Sequence, residues 1–158
     1  MASHAFTWCR KLNGVILPSD LTSMESNCFD GCYGLTEITI PSGITKINYE
    51  MFFECTSLKT VNLPDTVTTL GFQAFYGCTA LTEIVIPNSV TVFEQASFWK
   101  SAITKIYYGG TKAEYDKISG LNYISDSVTV YFYSETEPEV EGNHWHYVNG
   151  EVTLWNTL

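Results

Sequence analysis

The residues of this 158-residue chain best able to do chemistry are its five cysteines. Four of them, Cys9, Cys32, Cys55 and Cys78, stand 23 residues apart, and Cys28 lies outside that series. A thiolate is a nucleophile, a metal ligand or half of a disulfide. Zinc ligands come in short pairs such as C-x2-C, and no such pair occurs. Stacked units would bring Cys32 and Cys55 within disulfide reach. The reading with the fewest assumptions is a ladder of buried free thiols at one repeated core position. Cys28 then falls in a second core column, with Ala5, Met51, Ala74 and Ser97. Zinc and disulfide readings remain as alternatives, and buried thiols leave the redox compartment undecided.

The other candidates for chemistry are sparse. His144 and His146 project from one face of a strand with Glu151 nearby, but no motif fixes a third metal ligand, so two surface histidines are the simpler reading. The tract from Ser134 to Asn143 carries Glu at alternate positions, and its spacing matches no calcium loop. No nucleophile elbow, Gly-rich phosphate loop or paired carboxylate motif is present. A net charge of −9 argues against nucleic acid or an anionic membrane surface as partner. No apolar run is long enough to span a bilayer, and no leader of the secretory kind occurs, so any export signal is expected outside this chain.

The elements that would position these residues follow from the 23-residue period, which several residue types share. Pro18, Pro41, Pro64 and Pro87 keep it, as do Phe6, Phe29, Phe52, Phe75 and Phe98. Apolar columns such as Leu12/Leu35/Leu58/Leu81 and Val15/Ile38/Val61/Ile84 keep it too. Such a chain is a solenoid whose units pack on their neighbours. The stretch L-x-x-I-x-I ends in alternation, which predicts a strand buried on one face. Proline lacks the N–H that would extend the ladder and ends the strand. The V-T-x-L piece predicts a second short strand. The segment before the Phe and Cys columns, such as Gly71 to Gly77, suits one or two turns of helix.

The segments CYGLTEITIPSGITKINYEMFFEC and CTALTEIVIPNSVTVFEQASFWK resemble the BspA-type, or Treponema-type, leucine-rich repeat family. The resemblance covers about residues 3–108, and it lacks the Asn that ordinary leucine-rich repeats place after the strand. It implies an α/β repeat solenoid, a right-handed coil with parallel strands. Family members are linked with adhesion to host matrix proteins and to other bacteria.

The chain ends break the period. The stretch SHAFTWC reads as the tail of a repeat, so the repeats of 3–108 begin within a unit. The strand expected near Leu12 to Leu17 would expose a sheet edge, and this uncapped end suggests a fragment or self-association. Residues 109–133 are expected to cap the other end, with Thr111 starting a helix and a strand over 128–133. An acidic linker, 134–143, would follow. The tail, 144–158, reads as a β-hairpin about Asn149-Gly150. Its register pairs Val148 with Glu151 and Trp145 with Leu154, and its apolar face should dock on the cap.

Two surfaces are candidates for binding. The strand face should expose Glu37, Thr39, Lys59, Asn62, Glu83, Lys105 and Tyr107. The opposite side carries Phe53, Tyr76 and Trp99 in one column, either as an exposed patch or as packing between units. The function expected is a non-catalytic protein-binding module of a bacterial cell-surface or secreted protein, adhering to host or bacterial proteins, an extracellular-matrix protein among them. A structural spacer or stalk is the alternative. No cofactor is expected.

Overall fold

The computed structural model describes residues 1–139 and 142–155. The acidic linker's Val140 and Glu141, and the tail at 156–158, lie outside the described residues. The repeats form a parallel solenoid. On one side lie β1 (Glu37–Thr39), β3 (Thr60–Asn62), β5 (Glu83–Ile86) and β7 (Lys105–Tyr108). On an adjoining side lie the short β2 (Lys46–Ile47), β4 (Thr69–Leu70) and β6 (Val92–Phe93), which pair in parallel as a three-stranded sheet. Glu37 faces Thr60 and Lys46 faces Thr69, so the register equals the sequence period. Each strand alternates because Ile38, Val61, Ile84 and Ile106 point into a core that the next rung continues.

The third side is built from turns, not the helix that Gly71 to Gly77 suggested. Two positions per rung hold positive φ: His4, Asn27, Glu50, Gln73 and Ala96, then Trp8, Gly31, Glu54, Gly77 and Lys100. Left-handed residues four apart break a helix each time it would begin. In exchange, alternate amides bond along the stack. The N–H groups of Asn27, Phe29 and Gly31 donate to the carbonyls of Tyr49, Met51 and Phe53, and the next rung repeats this. Helix among the described residues is confined to α1 (Lys112–Tyr115) and a 3-10 turn at Leu121–Tyr123. Thr111 caps α1 through a capping box with Glu114.

The core is a stack of phenyl rings. Phe6, Phe29, Phe52, Phe75 and Phe98 lie nearly parallel with centroids 5.3 to 5.6 Å apart. The cysteines serve the same column. The thiols of Cys32, Cys55 and Cys78 donate to the carbonyls of Phe6, Phe29 and Phe52 at 3.1, 3.1 and 3.2 Å. Those carbonyls also accept the amides of Cys9, Cys32 and Cys55, so both lone pairs are used. Burial pushes the Cys32 thiol up to about 11 and that of Cys78 to about 12, with Cys55 raised further. Cys9 is the exception to the buried ladder. It is exposed. All five thiols are free.

The first rung is also looser than the repeat pattern implies. Residues 12–17 form no strand. Ile16 is 98% exposed, while Val15 and Leu17 are half-buried. At the other end, β8 (Thr129–Tyr133) adds in parallel to β7, and β9 (His144–Val148) adds in parallel to β8. β10 (Glu151–Leu154) closes the hairpin in the register counted from Asn149-Gly150. The hairpin does not lay its apolar face on a separate cap. It extends the sheet edgewise, giving the order β10-β9-β8-β7-β5, because β8 offers an open edge.

Stability and labelling both test this arrangement. Phe52→Ala removes a ring stacked on both sides and should cost about 3–5 kcal/mol, whereas Glu54→Ala should stay within about 0.5 kcal/mol, both read by urea denaturation. A Cβ on Gly71 would lie 2.6 Å from the carbonyl oxygen of Ile47, so Gly71→Ala must push adjacent rungs apart, at about 1–3 kcal/mol. A thiol reagent should modify Cys9 rapidly in the native protein, and Cys28, Cys32, Cys55 and Cys78 after denaturation. Rapid native labelling of several thiols would contradict the carbonyl-bonded ladder.

Candidate functional site

The strand face becomes a site because the hairpin returns over it. β9 carries Trp145 and Tyr147 on one face, as strand alternation requires. Trp145 is 1% exposed, and its indole Nε1 donates to the carbonyl of Tyr108 at 2.9 Å. Around it stand Tyr107, Tyr133 and Tyr147, with centroids at 5.8, 5.2 and 4.9 Å, all edge-to-face. Tyr107 is stacked on Tyr131 at 5.3 Å, its partner in the β7–β8 register. The hydroxyl of Tyr107 donates to Glu83 Oε2 at 3.4 Å. Tyr147 stays 51% exposed and forms the outer rim.

Between this cluster and the strands β3 and β5 lies a groove of about 480 Å³. Lys59, Asn62 and Glu83 line one wall, Tyr107 the floor, and Tyr147, Glu151 and Val152 the hairpin wall. A second groove of about 810 Å³ lies towards the first rung, with Glu37, Thr39 and Asn62 on its strand wall and Val15, Ile16 and Leu17 opposite. The Asn62 amide donates to Thr39 Oγ1 at 3.0 Å between the two.

The structure thus gathers most of the strand-face residues named from the sequence, with two qualifications. Tyr107 is not an exposed contact residue. It is 6% exposed, because Tyr131 and Trp145 cover it. Lys105, opposite Glu83 in the β5–β7 register, is half-buried and lines neither groove. Tyr131, Tyr133 and Trp145 were not singled out as site residues. The signal for them was the alternation of Tyr107, Tyr131 and Tyr133 with residues of the opposite face, which becomes informative only once β8 is known to pair with β7.

The aromatic column on the turn side resolves into both expected behaviours. Phe53 and Tyr76 stack at 4.5 Å and are half-buried. Trp99 meets Tyr76 edge-on at 5.7 Å and is 60% exposed. The Lys100 ammonium lies 5.1 Å from the Tyr76 centroid and 5.5 Å from that of Trp99, a cation–π arrangement. Neither surface brings together catalytic or metal-binding groups. Among the described residues no three His, Cys, Asp or Glu side chains are placed to share a cation, and no helix is long and apolar enough to cross a membrane.

Tyrosine burial sets an alkaline limit. Desolvation first, then the Glu83 carboxylate and Tyr131, pushes the Tyr107 hydroxyl up to about 12. Burial does the same to Tyr115, also to about 12. Unfolded tyrosines lose their protons near pH 10 while these two hold theirs, so the native state binds more protons in that interval. Their contribution to stability is complete below about pH 10 and lost as pH rises towards 12. The melting temperature should therefore fall steeply over that range, and Tyr107→Phe should shallow the fall.

Comparison with known proteins agrees with this architecture. The BspA type leucine rich repeat region matches residues 1–119 in six copies. A leucine rich repeat protein of T. pallidum is 30% identical in sequence and superposes with a TM-score of 0.65, over 68% of this chain and 50% of that one. A leucine rich cell surface protein from Faecalibacterium prausnitzii A2-165 is 22% identical, TM-score 0.52, over 72% of this chain and 35% of its own. The pneumococcal vaccine antigen PcpA is 17% identical, TM-score 0.53, over 78% and 36%. This chain spans half or less of those proteins. Among curated proteins none matches. With its period, its parallel rungs and its phenyl and thiol columns accounted for over 119 residues, the chain belongs to the BspA type leucine rich repeat family.

Proposed function

We propose that this chain is a non-catalytic protein-binding module of a bacterial cell-surface or secreted protein, and that it serves adhesion to host or bacterial proteins. In this reading residues 3–108 are the repeat body, 109–133 its cap, 134–143 a linker, and 144–158 a hairpin tail that walls the strand face. The observation that supports it most is the strand face itself. A sheet exposing one residue in two offers Glu37, Thr39, Lys59, Asn62 and Glu83 across three neighbouring rungs, bordered by two grooves. Linear arrays of small and polar positions suit an extended protein partner better than a compact substrate. The surface setting is supported by the cell-surface description of the F. prausnitzii protein. An extracellular-matrix protein is the first partner to test.

The aromatic column is a second surface of the same module. Trp99 has the exposure of an interface anchor, while Phe53 and Tyr76 spend most of their area on each other. Binding to immobilised fibronectin and fibrinogen should be saturable for the parent chain. Replacing Asn62 and Glu83 by Ala should weaken it by about tenfold if the strand face carries the contact. Trp99→Ser should act less, with an unchanged melting temperature. Absence of binding to either protein, and to a panel of bacterial surface proteins, would favour a spacer role.

A further inference from the structure

The groove beneath the hairpin has a charge and an edge that the repeats alone do not provide. We propose that it seats an extended basic segment of a partner polypeptide, with an arginine or lysine side chain held against Tyr147 between the carboxylates of Glu83 and Glu151. This rests on the protein-binding reading above and names the chemistry of the partner.

Charge is the first argument. The ionisable groups facing the groove are Lys59 at the entry to β3, Glu83 on β5 and Glu151 on β10. Asp65, just beyond β3, is close enough to help raise the Tyr147 hydroxyl, after burial and ahead of Tyr133. Lys105 pairs in register with Glu83 but lies outside the lining. Two lining carboxylates thus meet one lining ammonium, on a chain of net charge −9. Among the described residues neither of the two is in a salt bridge; the ion pairs there are Lys46–Glu94 and Lys112–Asp116. An unpaired acidic rim beside an exposed ring is complementary to a guanidinium or ammonium, which gains both Coulomb attraction and a cation–π contact.

Pre-organisation is the second argument. Tyr147 is braced by Trp145 and Tyr133 at 4.9 and 6.4 Å, and Trp145 is tied to the backbone of β7. A braced ring loses little freedom when a ligand covers it. The open edge is the third argument. β10 pairs with β9 alone. In a two-residue hairpin the closing pair, here Val148–Glu151, is hydrogen-bonded, so the next residue, Val152, turns its N–H and C=O away from β9. The bond from Trp155 N–H to the His144 carbonyl keeps that alternation. Val152 lines the groove, so an extended segment can add main-chain bonds there while its cationic side chain meets Tyr147.

The test uses the whole chain labelled with nitrogen-15, titrated with capped Arg-Gly, Lys-Gly and Glu-Gly repeat peptides. The expected result is that the Arg and Lys peptides shift the amides of Glu83, Tyr147, Glu151 and Val152, and that the Glu peptide does not. The double variant E83Q/E151Q should weaken the Arg peptide by about tenfold, and Tyr147→Ser should act comparably, with melting temperatures unchanged. The control variant E50Q/E54Q, on the turn side, should leave affinity as it is. Equal weakening by the control pair would show a diffuse effect of net charge and overturn the proposal. So would shifts mapping away from the hairpin, or full affinity in E83Q/E151Q. Fibronectin and fibrinogen binding by the parent is measured separately, so the groove can fail while the binding module stands. If the parent binds neither the matrix proteins nor any peptide, both readings fail.

Discussion

In three rungs, those of Phe6, Phe29 and Phe52, the carbonyl group of the column phenylalanine is the point on which the solenoid turns. It accepts the amide of its own rung's cysteine and the thiol of the next rung's cysteine. A backbone oxygen inside an apolar stack would otherwise leave a lone pair without a donor, at a cost comparable to a lost hydrogen bond. Cysteine suits the task because its sulfhydryl is a weak donor on an otherwise apolar side chain. Phenyl stacking sets the spacing between rungs, and the thiol bond fixes the turn that carries the ring. Where the column changes to Ser101, the hydroxyl donates instead to Phe98 in its own rung, at 2.6 Å. The side-chain link between rungs is absent at that rung, while backbone bonds such as Ala102 N–H to the Cys78 carbonyl continue.

Much of this was legible in the residues, for a physical reason. A solenoid repeats each environment once per period, so every core position is written four or five times. Period, strand register, proline corners and phenyl column follow from that redundancy. The hairpin register was legible for a different reason: Asn149-Gly150 names its own turn, and pairing is counted outward from it. The left-handed turns were not legible. Gly31, Gly77 and Asn27 hint at positive φ, but Glu50, Glu54, Gln73, Ala96, Trp8 and Lys100 occupy the same columns. Trp8, Glu50, Glu54 and Gln73 are held there by inter-rung amide bonds, so the backbone follows the stack and not local preference. Cys9 shows the complementary limit. Its column predicts burial, but Cys9 lies exposed.

The site was legible only in places because its residues belong to elements with no period. Glu83, Lys59 and Asn62 could be placed on the strand face by alternation. That Tyr107 would be covered depended on β8 and β9 adding beside β7, a pairing between unlike segments. The register across this junction explains why the addition works. The step from β5 to β7 is one residue short of the repeat, and the step from β7 to β8 is one residue long. The two deviations offset each other, so Val85, Tyr107 and Tyr131 stand in a line across three strands. The row that runs Thr39, Asn62 and Val85 through the repeats thereby becomes aromatic where the repeats end. Edge-to-face and stacked rings can absorb the change in side-chain volume without disturbing the backbone pairing.

On the proposed reading the chemistry of recognition lies at the seam between two kinds of order. Within the repeats, side chains on the strand face must recur compatibly from rung to rung, since each lies beside its equivalent about 4.8 Å away. Like charges in such a row repel; Glu37 faces the neutral Thr60 and Glu83 faces Lys105, so no like charges adjoin and the face stays weakly selective. The hairpin is under no such constraint. It can bring Tyr147 and Glu151 over the face at an angle that no rung can supply, and convert a flat row into a groove with walls of different chemistry. The repeats fix where the groove lies and how rigid its floor is. On the proposed reading the aperiodic tail determines what charge and what ring a ligand meets there, so a change of specificity needs alterations in the hairpin while the phenyl and thiol columns stay as they are.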